Sequence, residues 1–149
     1  MPEANNGGFL VQRPPALRRG GGSAVTILVT AADSGGAIGM IETVSPPGAP
    51  GPPLHAHSRE DETFYVVAGT GEFWLGDLRL VCGPGSRVFG PRNVPHRYRN
   101  AGETDLTVLI VYSPGGFEQS FLDIDAMGEA GTDRQATGSV MRRYGVTRL

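Results

Sequence analysis

The sequence has little cysteine and no long apolar runs, and each shortage excludes a class of protein. Cys82 is the only cysteine among 149 residues, which excludes an internal disulfide. The longest apolar stretches, such as residues 25–29 and 106–111, are far too short to cross a bilayer as a helix. Residues 1–8 lack the basic region and the apolar run of a secretory signal. We therefore expect a soluble cytoplasmic protein that does not associate with a membrane.

The chain also lacks a strong charge of either sign. Its 13 basic and 15 acidic residues give a formal net charge of −2, which argues against an electrostatic nucleic-acid binder. Glycine and proline are abundant, at 23 and 12 residues, and they separate short apolar runs. This alternation is typical of the turns of an all-β fold. The length suits one domain with one full core.

Short runs of β-branched and aromatic residues predict about nine strands, separated by turn signals. They lie at residues 24–31, 37–44, around His55, at 63–67, 72–75, 78–82, 87–89, around His96 and at 106–112. So many short strands at regular spacing predict a barrel or a sandwich, here assigned to residues 23–114. Residues 1–22 are rich in Gly, Asn, Pro and Arg and predict a flexible arm with a short edge strand at residues 9–11.

After the last strand the apolar period changes, and residues 115–149 predict a helical extension packed on the barrel. Ser113 is a candidate N-cap with Pro114 at the first helical position. The first helix, ending before Gly128, presents one apolar face: Phe117, Phe121 and Ile124. A second helix follows from the spacing of Ala136, Val140 and Tyr144, with Gly145 as its C-cap.

All three histidines of the chain stand in two short stretches, at His55, His57 and His96. Because strand side chains alternate faces, His55 and His57 point to the same side. Glu62 lies on one face of the next predicted strand with Phe64 and Val66, and His96 shares a face with Tyr98. Three imidazoles and a carboxylate suit one divalent transition ion (Fe, Mn, Ni, Co or Zn) and suit Ca or Mg poorly. The pattern therefore predicts a metal site.

These two stretches resemble the paired motifs of the cupin superfamily. The first motif is matched by His55, His57, Glu62 and Gly69, and the second by Gly85, Pro91, His96 and Asn100. Two glycines of the family pattern are replaced, by Ala49 in the first motif and by Asn93 in the second. Asparagine tolerates a positive φ better than other residues with a side chain, so the turn at position 93 can survive.

The resemblance implies a cupin-type double-sheet jelly-roll barrel with the metal inside one mouth. The strand, the helix and the ending after Arg143 are similar to small single-domain bacterial cupins described as quercetin dioxygenase-like. The function implied is a metal-dependent dioxygenase acting on a small enol, phenol or flavonol-like substrate with O2. Its ligands would be His55, His57, Glu62 and His96, with Glu62 also acting as a catalytic base.

Two other function classes remain open at this point. The same site would serve a non-redox isomerase, lyase or polyketide cyclase, or a small-molecule-binding or sensor domain. The substrate pocket is assigned to six apolar and aromatic residues, which would otherwise simply form core: Phe64, Val66, Phe89, Tyr98, Phe117 and Phe121. We also expect a homodimer, because exposed edge strands favour pairing, with residues 9–17 added to a partner's sheet.

Overall fold

The computed structural model of the protein describes residue 8, residue 11 and residues 14–149. Two antiparallel sheets face each other across one core. The described part of the chain contains eleven strands: β1 (Ala16–Arg18), β2 (Ala24–Val29), β3 (Gly39–Ser45), β4 (His55–His57), β5 (Asp61–Ala68), β6 (Gly71–Leu75), β7 (Leu78–Cys82), β8 (Arg87–Gly90), β9 (His96–Asn100), β10 (Leu106–Ser113) and β11 (Val146–Arg148).

One sheet has six strands in the order β1-β2-β3-β10-β5-β8, and the other has five in the order β11-β4-β9-β6-β7. Inward and outward residues alternate along β3, β5 and β10, because the sheet faces the core on one side and water on the other. The inner faces meet through aromatic rings. Phe73 lies between Phe64 of the opposite sheet, 5.6 Å away, and Tyr98, 5.4 Å away between ring centroids. The predicted all-β jelly roll with C-terminal helices is confirmed.

The arm predicted at residues 1–22 is partly built into the barrel. Leu17 of β1 pairs with Val25 of the same chain. A 3-10 turn, Gly20–Gly22, then leads into β2. Of the edge strand predicted at 9–11, Phe9 and Leu10 lie outside the described residues, and Val11 is not in a strand.

The proline-rich loop before β4 packs against the barrel mouth. Gly51 has a φ of +70°, and a Cβ built on it would lie 1.9 Å from the backbone oxygen of Tyr98. No other residue type fits this close approach without a shift of the backbone. The turn before His96 contains Asn93 with a φ of 66°, as expected for the asparagine that replaces the motif glycine.

The first C-terminal helix, α1 (Gln119–Ala126), begins later than the sequence predicts. Ser113 does not cap it, because Ser113 is the last residue of β10 and pairs with Asp61. Instead the buried Glu118 carboxylate accepts hydrogen bonds from the backbone N–H of Gly116 at 2.7 Å and of Ala31 at 2.6 Å. These bonds tie the start of α1 to the turn between β2 and β3. The helix ends before Gly128, as predicted.

The second helix, α2 (Arg134–Arg143), is capped by Asp133, whose carboxylate accepts from the N–H of Ala136 at 2.7 Å. Tyr144 is the C-cap of this helix, and Gly145 follows it with a φ of 78°, as expected for the glycine predicted to end the helix. The chain then returns to the barrel as β11, so the C-terminal extension is not purely helical. Within the described residues, α1 and α2 are too short and too polar to span a membrane.

Candidate metal centre

The three histidines and Glu62 converge at one mouth of the barrel. One ligand atom from each lies within 4.8 Å of the others. We call this set, His55, His57, Glu62 and His96, the ligand cluster. Strand pairing brings it together: His55 pairs with His96 across β4 and β9, while Glu62 stands near the start of β5 in the facing sheet. The predicted alternation is confirmed, because both β4 histidines point to the same side.

Every histidine of the ligand cluster is held by its Nδ1 atom. His55 Nδ1 donates to the Pro53 carbonyl at 2.6 Å, and His96 Nδ1 donates to the Val94 carbonyl at 3.0 Å. His57 Nδ1 bonds to the buried carboxylate of Glu60. Because a carbonyl can only accept, the proton of each neutral ring sits on Nδ1 and the lone pair sits on Nε2. This arrangement orients histidines as metal ligands.

The inward-facing atoms of the ligand cluster lack hydrogen-bond partners in the described part of the chain. These buried atoms are His57 Nε2, His96 Nε2 and Glu62 Oε2. His57 Nε2 lies 3.2 Å from Glu62 Oε2, and His96 Nε2 touches the same oxygen without hydrogen-bond alignment. Buried lone pairs and a carboxylate that face one another repel, and a positive charge between them relieves this repulsion. The residues therefore fit a divalent cation.

The electrostatics of the cluster favour the ligating protonation states of His55 and Glu62. Burial lowers the pKa of His55 to about 4, although the Glu62 carboxylate opposes the shift. Burial disfavours ionised Glu62, yet contact with His96 and the nearby imidazoles hold the pKa of this carboxyl below its usual range. For His96, burial acts to lower the pKa, but contact with Glu62 raises it. Near neutral pH the cluster thus offers neutral His55 and ionised Glu62, with His96 able to share a proton when no cation is bound.

A cavity of about 360 Å³ opens beside the ligand cluster, within the range of pockets that bind small molecules. Four of the six predicted pocket residues line it: Phe64, Tyr98, Phe117 and Phe121. The ring of Phe117 also meets the His57 ring edge-on, with centroids 4.5 Å apart. Aromatic walls thus cover both the cavity and the imidazoles, which reduces the access of water.

The two remaining assignments differ from the structure. Val66 is fully buried but belongs to the core and does not line the cavity. Phe89 is 56% exposed on the outer face of β8, so its assignment to the pocket is wrong. It pairs with Thr63, whose side chain points away from the core, whereas its neighbour Val88 pairs with inward-facing Phe64.

Four residues that surround the ligand cluster or line the cavity are not among those predicted from the sequence. Tyr112 is buried, lines the cavity and pairs with Glu62 across β10 and β5. Glu60 lies behind His57, and its carboxylate bonds to the Nδ1 atom of that ring. Arg19 and Arg148 line the same cavity from opposite ends of the chain. The alternation of β10 carries a signal for Tyr112, but no local pattern marks Arg19 or Arg148.

Comparisons with known proteins agree with this architecture. A family model described as "Cupin domain" matches residues 42–112, which contain all four members of the ligand cluster. Protein SchB of Streptomyces halstedii is 31% identical over 103 residues, covering 68% of this chain and 72% of that protein.

Two solved structures show the same arrangement of strands. KdgF from Halomonas sp. matches with a TM-score of 0.62 and 25% identity, covering 70% of this chain and 90% of that chain. A predicted oxalate decarboxylase from Thermotoga maritima matches with a TM-score of 0.61 and 27% identity, covering 68% and 91%. Both are similar in sequence as well as in fold.

Proposed function

The chain belongs to the cupin superfamily, and we propose that it is a metal-dependent enzyme, a dioxygenase acting on a small enol, phenol or flavonol-like substrate. One observation supports this proposal above the others. Unpartnered Nε2 and carboxylate atoms converge beside an aromatic-walled cavity of about 360 Å³. A structural site would be closed by its ligands, whereas three members of this cluster, His55, Glu62 and His96, face the cavity.

The imidazoles and the carboxylate of the ligand cluster would have different roles. The imidazoles would hold the ion, and their Nδ1 hydrogen bonds keep the Nε2 atoms directed toward the centre of the cluster. A divalent ion, when bound, supplies Lewis acidity that lowers the pKa of an enol or phenol oxygen. Glu62 is the one member with a carboxylate, and its ionised oxygen is suited to accept the substrate proton.

The cavity walls match an aromatic or conjugated substrate. Phe64, Tyr98, Phe117 and Phe121 present ring faces and edges to the same space. Burial raises the pKa of Tyr98 to about 12, so its hydroxyl stays neutral, and it shares a hydrogen bond of 2.9 Å with Thr43. An apolar wall of this kind desolvates the substrate and strengthens the electrostatic effect of the cluster on it.

A second candidate is supported by the two arginines of the cavity and by one comparison. Arg19 and Arg148 add positive charge to the cavity lining. The solved structure from Thermotoga maritima carries the description of a predicted oxalate decarboxylase. A non-redox lyase, isomerase or polyketide cyclase would use the same ligand cluster without consuming O2. A binding or sensor domain would use it without turnover.

The decisive experiment combines elemental analysis with oxygen uptake on flavonol, catechol and diketone panels. We expect about one transition ion per chain and O2 consumption by the metal-loaded protein, both lost in His96→Ala. Turnover without O2 consumption would assign the non-redox class, and ligand binding without turnover would assign the sensor class. A metal-free protein after reconstitution would contradict the proposal as a whole.

Glu62→Gln separates the role of ligand from the role of base. Glutamine keeps the size and one acceptor oxygen but cannot take a proton near neutral pH. We expect weaker yet measurable metal binding and a larger loss of turnover per bound ion. Unchanged turnover per bound ion would show that Glu62 is a ligand and not a base.

The expected homodimer and cytoplasmic location stay predictions. The outer face of β5 and β8 exposes Tyr65, Val67 and Phe89, at 45, 43 and 56%. An apolar face of this kind is a candidate for pairing between two copies of the chain. Light scattering at micromolar concentration tests this directly, and a monomer mass would contradict it.

A further inference from the structure

Arg19 lies in an unusual place for an arginine. It follows β1, lines the cavity beside the ligand cluster and is only partly exposed. Its guanidinium carbon sits 5.5 Å from the ring centroid of Phe121, which lines the same cavity. A cation–π contact holds a guanidinium in position but accepts none of its N–H groups.

No acceptor lies within hydrogen-bond or ion-pair distance of the Arg19 guanidinium among residues 14–149. Two other arginines are paired with carboxylates: Arg92 donates to Asp61 at 3.1 and 3.2 Å, and Arg99 donates to Glu72 at 2.7 Å. Burial lowers the pKa of Arg19, the charge of Arg148 lowers it further, and Asp125 opposes both. A partly desolvated guanidinium with no acceptor among residues 14–149 is stabilised when an anion binds beside it.

Arg148 adds to the positive charge and is already fixed in place. Its Nη1 donates to the Arg134 carbonyl at 2.8 Å and its Nη2 donates to the Thr137 hydroxyl at 3.0 Å. It pairs with His55 across β11 and β4, which places it at the mouth next to the ligand cluster. The cavity therefore combines an apolar wall with two cations, one of them anchored and one whose donors find no acceptor among residues 14–149.

From this arrangement we infer that Arg19 binds a carboxylate of the substrate, so that the substrate is a small conjugated acid. One part of it presents an enol or phenol oxygen to the ligand cluster, and a carboxylate on the same molecule meets Arg19. The planar guanidinium can donate two parallel N–H bonds to that group. Arg19 thus selects the substrate. The inference rests on the proposed function, because it places the other end of the substrate at the ligand cluster.

The test uses two catechols that differ in one group. Protocatechuate carries a carboxylate, and its neutral amide has nearly the same shape. Both are titrated calorimetrically into zinc-loaded protein, since zinc does not oxidise them. We expect protocatechuate to bind the wild-type protein at least about tenfold more tightly than the amide, as charge-assisted hydrogen bonds predict.

Three variants assign this preference to one side chain. Arg19→Met keeps an apolar stem over Phe121 and should bind both probes with the affinity of the amide. Arg19→Lys keeps the charge without the planar fork and should retain part of the preference. Arg18→Met is the matched control, because Arg18 is the exposed neighbour on β1 and should leave both affinities unchanged.

The outcomes separate this inference from the function on which it rests. Equal affinity of both probes for the wild-type protein, or an undiminished preference in Arg19→Met, would overturn the role of Arg19 and leave the metal-dependent function intact. Binding of both probes that is the same with and without zinc would overturn the proposed function. Where Arg19→Met fails to fold, Arg19→Lys tests the same side chain, and an undiminished preference in that variant would overturn the role of Arg19.

Discussion

The hydrogen bond between Glu60 and His57 offers a sharp test of the candidate metal centre. Both side chains are buried, with 4% and 1% of their surface exposed, and Glu60 Oε1 lies against His57 Nδ1. In Glu60→Gln an amide oxygen replaces the carboxylate, with the same length and nearly the same shape. The change leaves all four proposed ligands in place and alters only the group that orients one of them.

The size of the effect follows from the type of hydrogen bond. A bond to a charged group contributes about 1.5–3 kcal/mol and a neutral bond about 0.5–1.5 kcal/mol. Replacing the first by the second should weaken metal binding by about 1.4 kcal/mol, which is about tenfold. Glu60→Ala leaves the buried N–H of His57 without an acceptor and should weaken binding by up to about a hundredfold.

The measurement is a competition titration of Co²⁺ or Zn²⁺ against a coloured chelator. The visible spectrum of the Co²⁺ form reports the ligand geometry directly. Glu72→Gln is the matched control, because Glu72 is also a buried carboxylate, 2% exposed, but bonds to Arg79 and Arg99 and not to the cluster. We expect its metal affinity to equal that of the wild-type protein.

An unchanged affinity in both Glu60→Gln and Glu60→Ala, with thermal unfolding showing an intact fold, would refute this reasoning. It would mean that packing alone orients His57. An equal loss in Glu72→Gln would show that the effect is general destabilisation and not a property of this hydrogen bond.

Three further predictions concern stability. Gly51→Ala should lower the melting temperature by about 5–10 °C, because alanine strains the positive φ and clashes with the backbone. Gly83→Ala should leave the melting temperature unchanged, because open space surrounds that residue. Equal melting temperatures of the two variants would contradict the close packing of the loop before β4. Burial raises the pKa of Tyr98 to about 12 in the folded protein, whereas the pKa in the unfolded chain is about 10. The free energy of unfolding should therefore fall as the pH rises from about 10 to about 12. In Tyr98→Phe, chemical denaturation should show a smaller fall of the free energy of unfolding over this pH range. An equal fall in both proteins would contradict the raised pKa of Tyr98. Asp133→Ala removes the cap of α2 and should reduce the free energy of unfolding, measured by chemical denaturation, by about 1 kcal/mol. An unchanged free energy of unfolding would show that packing alone holds this helix.

The ligand cluster was predictable because its signal is local. His55 and His57 are two residues apart on one strand, and the period of a strand places both on one face whatever the tertiary fold. The same rule placed His96 with Tyr98 and Glu62 with Phe64, and burial along β5 and β9 confirms both pairs. The spacing within a motif thus predicts which side chains share a face, even when the pairing of the strands is unknown.

The pocket required strand pairing, which no local pattern supplies. Val88 and Phe89 are both apolar, so the alternation of β8 does not show which of them points inward. The register of β8 against β5 decides it, because Val88 pairs with Phe64 and turns Phe89 outward. Pairing of the same kind also overrode the predicted cap at Ser113, whose backbone is bonded to β5.

The fold class, the four candidate ligands and the turn residues around them follow from the amino-acid sequence alone, since each is marked by a pattern within a short stretch of chain. The surroundings of those ligands depend on the tertiary structure. Tyr112 opposite Glu62 and Arg19 beside Phe121 are brought to the site by folding. Contacts between residues far apart in sequence depend on register and loop path, which are set by packing of the whole barrel and not by any one segment.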